Sequence, residues 1–78
     1  MDEAEIKKHL ALAAEHIADA ESRIRRQQEA IAKQFLGRRP TEFAEKHLAI
    51  LTETLKTMEQ RRKKLLSELN DEEVSAST

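Results

Sequence analysis

The sequence predicts an all-α protein: an antiparallel two-helix hairpin with coiled-coil packing, pairing in turn into a dimeric four-helix bundle. Three observations carry this. Apolar side chains recur in steps of four and three on both sides of a single break, Gly37-Arg38-Arg39-Pro40, which is the period of helices that pack along a seam. The break holds the chain's one glycine and one proline, so turn chemistry is concentrated at one point. Charged residues make up 37% of the 78-residue chain and aromatic ones only 3%, a composition suited to long amphipathic helices rather than a mixed domain.

The first helix should span about residues 2–36. Asp2, Glu3 and Glu5 place negative charge at the positive end of its dipole, and Lys33 lies near the other end. Gly37 is expected to take the left-handed conformation that ends many helices, with Pro40 following where a helix cannot continue. The turn then occupies residues 37–40. The second helix should start near Pro40 or Thr41, with Thr41 as its cap or Pro40 in its first turn. Glu42 and Glu45 again sit at the positive end, and the helix is expected to run to about Asn70. The acidic, small and polar residues 71–78 read as a flexible tail.

Folding the chain at residues 37 and 38 sets Ile31 against Ala44, Ile24 against Leu51, Ile17 against Met58 and Leu10 against Leu65. The same fold pairs Ala20 with Leu55 and Ile6 with Leu69. The hairpin seam is therefore Ile6, Leu10, Ala13, Ile17, Ala20, Ile24 and Ile31, facing Ala44, Leu48, Leu51, Leu55, Met58, Leu65 and Leu69. Gln27, Gln34 and Arg62 fall on the same stripes, and the Arg62 stem can pack while its head reaches water. Acid-to-base pairs four residues apart (Glu3–Lys7, Asp19–Arg23, Glu21–Arg25, Glu29–Lys33, Glu42–Lys46, Glu59–Lys63) mark the solvated faces.

Helices of these lengths would be about 50 Å and 45 Å long, and two such rods bury only one seam. Chains of this size rarely draw more than ~3–5 kcal/mol from a single core, and oligomerisation supplies the rest where cysteines and metal ligands are lacking. A candidate self-association face comprises Ala4, Ala11, Ala14, Ala18, Ala32 and Phe35, with Phe43, Ile50 and Leu66 also off the seam. Small residues allow helices to approach closely. Phe35, Leu36 and Phe43 offer an apolar cap over the loop end, and Lys33, Arg38, Arg39 and Lys46 a contact point for an acidic partner.

Other functions find less support. The net charge of −1, from 14 basic and 15 acidic residues, supplies no global attraction to nucleic acid or an anionic membrane. A nucleic-acid-associated regulator using Arg23, Arg25, Arg26, Arg38 and Arg39 is the rival reading, and a partner-specific adaptor or chaperone is a third. His9 and His16 lie about 10 Å apart along one helix and His47 is remote, so no metal site is expected. No nucleophile constellation, glycine-rich phosphate loop or enclosed carboxylate points to catalysis or a cofactor. The absence of cysteine fits a reducing compartment. With no signal-like N-terminus and no spanning segment, a cytoplasmic protein is expected. The reading is a non-enzymatic interaction or scaffold protein that forms homodimers.

The stretches HLALAAEHIADAESRIRRQQEAI and LAILTETLKTMEQRRKKLLSEL resemble small bacterial proteins of unassigned function expected to be helical hairpins. The resemblance rests on an apolar-His-Ile start, a glycine-containing break, and a second-helix core of Leu48, Leu51 and Leu55. It implies the hairpin fold and carries no active site.

Overall fold

The computed structural model describes residues 2–77, with side chains for residues 2–74. It contains two helices, α1 (Glu3–Leu36) and α2 (Glu42–Ser77), and no strand among the described residues. The helices pack against each other as a hairpin 63 Å long and 15 by 14 Å across. Its radius of gyration, 17.9 Å, far exceeds the roughly 11.5 Å of a compact domain of this length. The molecule is a thin rod with a turn at one end, here called the tip. The start of α1 and the last turns of α2 lie together at the other, the base.

Asp2 starts α1. Its backbone is extended, with φ −79° and ψ 169°, and its Oδ1 accepts a hydrogen bond from the Glu5 N–H at 2.8 Å. Its carbonyl accepts from the Ile6 N–H at 3.0 Å. The Glu5 N–H, which has no partner within the helix, is thus satisfied by the Asp2 side chain, and the Ile6 bond is the first of the helical ladder. At the far end Arg39 N–H donates to the Gln34 carbonyl at 2.8 Å and Arg38 N–H to the Phe35 carbonyl at 3.1 Å. This nested pair is a Schellman cap.

The left-handed residue in that cap is Arg38, with φ 57°, and not Gly37 as the sequence suggests. Gly37 has φ −82° and ψ 4° and still donates to the Lys33 carbonyl at 3.0 Å. The last helical hydrogen bond thus falls one residue later than expected, and the strained position falls on arginine. Pro40 lies outside both helices. Thr41 immediately precedes α2, and its carbonyl accepts from the Glu45 N–H at 2.8 Å.

α2 continues to Ser77, past the expected stop near Asn70. Residues 71–77 are therefore helical rather than a separate tail, and Thr78 lies outside the described residues. The acids at this end oppose the helix dipole. No glycine or proline follows Pro40 to break the helix, however. In the expected register residue 73 lies level with Asp2, so the end of α2 outruns α1.

Among the described residues, Ile6 at 1% exposure and Ala20 at 6% are the buried ones. The other expected seam residues, Leu10, Ala13, Ile17, Ile24 and Ile31 on α1 and Ala44, Leu48, Leu51, Leu55, Met58, Leu65 and Leu69 on α2, are all half-buried. Arg62 is exposed. Near the tip the seam turns polar. Gln27 Nε2 crosses from α1 to donate to the Ala44 carbonyl at 3.1 Å, while Gln34 Oε1 is buried without a hydrogen-bond partner.

On the surface, Lys7 meets Glu3 at 2.9 Å and Arg23 meets Asp19 at 3.1 Å. The other four acid-to-base pairs remain open among the described residues. The hydrogen bond that Lys7 Nζ donates to the Glu3 carboxylate, followed by the Glu3 charge, holds the Lys7 ammonium above its ordinary pKa.

Candidate functional site

The seam leaves two flanks, and helical spacing assigns each exposed residue to one of them. Ala11, Ala14, Ala18, Ala32 and Phe35 each follow a stripe position on α1, and Leu66 follows Leu65 on α2. Neighbouring residues on antiparallel helices meet on the same side under this rule. On this flank Ala14, Ile17, Glu59, Arg62, Lys63 and Leu66 line one shallow hollow. Ala4 lies one heptad before Ala11 and extends the same row towards the base.

Phe43 and Ile50 instead precede the seam residues Ala44 and Leu51, which places them on the opposite flank. The nine residues expected to form one self-association face are all exposed, but they do not form one surface. The alanine row, Phe35 and Leu66 share a flank, and Phe43 and Ile50 lie across the rod. A sequence scan that asks only whether a residue is off the seam cannot see this difference.

The opposite flank also carries the histidines. His9 shares a hollow with Arg61, Lys64, Leu65 and Glu68, and His16 shares one with Asp19, Ala20, Arg23, Leu51, Thr54 and Met58. His47 lines a third with Arg23, Arg26, Gln27 and Leu51. Among the described residues no three histidines, cysteines or carboxylates converge as a metal site would require. The arginines proposed for nucleic acid are also dispersed. Arg23 and Arg26 meet beside His47, Arg38 and Arg39 line a hollow at the tip, and Arg25 follows Ile24 onto the alanine flank.

No helix among the described residues is long and apolar enough to cross a membrane. The chain matches no protein-family model, no curated protein and no solved structure. Its surfaces alone must therefore carry the functional reading.

The tip is the most unusual of them. Phe35, Leu36 and Phe43 are 75%, 82% and 88% exposed, so they do not close over the loop as an apolar cap. Phe35 and Leu36 diverge by a helical step on α1, and Phe43 leaves α2 on the other flank. Phe43 lies between Glu42 and Glu45 in sequence, while Phe35 and Leu36 share one open hollow with Arg38, Arg39 and Pro40. Lys33 and Lys46, also assigned to an acidic-partner contact, are exposed within a turn or two of it.

Charge is also distributed unevenly from end to end. Residues 33–46 at the tip hold four bases (Lys33, Arg38, Arg39, Lys46) and two acids (Glu42, Glu45). The base, residues 2–9 and 66–74, holds seven acids (Asp2, Glu3, Glu5, Glu68, Asp71, Glu72, Glu73) and two bases (Lys7, Lys8). Charge counted along the chain hides this polarity, because the acidic end is assembled from the two ends of the sequence. Counting over residues that the fold brings together would have revealed it.

Proposed function

We propose that the chain is a non-enzymatic, cytoplasmic interaction or scaffold protein that self-associates into a homodimeric four-helix bundle with coiled-coil packing. The observation that carries this reading is the area left open. The hairpin exposes 6409 Å², whereas a compact monomer of 9.0 kDa would expose about 4,900 Å². The excess of roughly 1,500 Å² per chain is nearly twice the ~800 Å² that a standard protein interface removes from each partner. The half-buried seam agrees with it: Ile17 lines the hollow on the alanine flank and retains exposed surface that a second hairpin would cover. The alanine flank with Leu66 lets two hairpins approach closely enough to cover it.

Sedimentation equilibrium tests the reading. At micromolar concentration the mass should exceed that of the 9.0 kDa chain, and Ala14→Glu with Ala18→Glu should return it to the monomer while helical content persists. A wild-type monomer throughout that range rules out self-association. It would leave the adaptor reading, in which another protein covers the same surface.

A further inference from the structure

We propose that the exposed basic tip docks on the acidic base of a second copy, so that two hairpins lie side by side and antiparallel. This rests on the self-association reading and adds to it the orientation of the partner and the residues that choose it. The tip presents Phe35 and Leu36 largely to solvent, in one hollow with Arg38 and Arg39. Large apolar side chains clustered at one end of a molecule mark a contact surface, and their basic rim calls for an acidic counterpart.

The same chain supplies that counterpart at its other end. Asp2, Glu3 and Glu5 lead into α1, and Asp71, Glu72 and Glu73 lie on the last turns of α2. Two parallel hairpins would set base against base and tip against tip, with like charges opposed at both ends. Turning one hairpin around sets each basic tip against an acidic base. The two contacts are equivalent by a two-fold axis, so the assembly closes as a dimer instead of growing into a filament. Opposed charges of this kind fix register and reject the alternative pairing more than they add raw affinity.

The absence of cysteine from the chain makes the orientation directly measurable. Gly37 is a suitable label site, because a Cβ there would meet nothing nearer than the Lys33 carbonyl oxygen at 3.5 Å and its φ of −82° suits any residue. A nitroxide on Gly37→Cys should give a tip-to-tip distance approaching the 63 Å length of the rod by pulsed dipolar spectroscopy, in a species whose sedimentation mass is that of a dimer.

A dimer whose tip-to-tip distance is close to the 15 Å rod width overturns the antiparallel orientation and leaves self-association standing. A concentration-dependent series of larger masses overturns the closed dimer. A monomer overturns the self-association reading and this proposal with it.

Charge reversal gives an independent measurement. Arg38→Glu with Arg39→Glu should weaken dimerisation on the order of tenfold, and Glu72→Lys with Glu73→Lys should do likewise. Adding Asp71→Lys, Glu72→Lys and Glu73→Lys to the reversed tip should restore it, since the tip then holds four acids and two bases and the base five bases and four acids. A parallel dimer opposes like charges at the tip before and after reversal, so unchanged dimerisation in Arg38→Glu with Arg39→Glu would also overturn the proposal.

Discussion

Arg38 holds the turn in a conformation that costs an L-residue with a side chain about 1 kcal/mol, while the glycine beside it sits in ordinary backbone. Replacing Arg38 by Gly should therefore raise hairpin stability by about 1 kcal/mol. Gly37→Ala should also be tolerated and contribute roughly 0.4–1 kcal/mol by restricting the unfolded chain. Urea denaturation with an unchanged m-value checks both. A loss of stability in Gly37→Ala would mean that the glycine, not the arginine, holds the left-handed position. Most of the turn was legible from Gly37 and Pro40, but its phase was not. A single helical hydrogen bond, from Gly37 to Lys33, decides which residue becomes left-handed, and it does so against the residue preference, which favours Gly37. The same limit applies to Gln27 and Gln34. Both lie on the seam stripe, yet one bonds across the helices and the other buries a bare acceptor.

At the scale of the helices, periodicity was an effective guide because the alternation of four and three is set by which face meets the neighbour. It says which residues face the seam and not how deeply each is covered. Ile6 is 1% exposed, whereas Leu55 is only half-buried in the hairpin. Ile6→Ala should cost about 2–5 kcal/mol, and Leu55→Ala roughly 1–2 kcal/mol in proportion to its smaller buried area. Thermal and urea melts in dilute solution compare them. Equal losses would mean that Leu55 is covered more fully than one hairpin allows. The end of α2 was less legible. Acidic and small residues after Asn70 resemble a tail, but composition disfavours a helix only weakly where neither glycine nor proline interrupts it.

For the whole molecule, the mismatch between length and girth governs behaviour. A rod whose seam is half-open gains stability whenever a second copy covers it, so its melting temperature should rise with protein concentration, as for any fold coupled to association. A melting temperature constant across a hundredfold dilution would contradict the dimer. The architecture could be read from the chain, because two stripes agree in a single fold. The surfaces that matter for association could not, since flank and end-to-end charge emerge only when distant residues are set side by side.

The placement of Ile6 bears on how the hairpin forms. Contacts beside the turn join residues close in sequence and close first, since short loops lose little entropy. Contacts at the base join residues separated by nearly the whole chain and come last. Ile6, the most deeply buried side chain among the described residues, sits at that end, so a hairpin closing outward from its turn would be latched where its loop is longest.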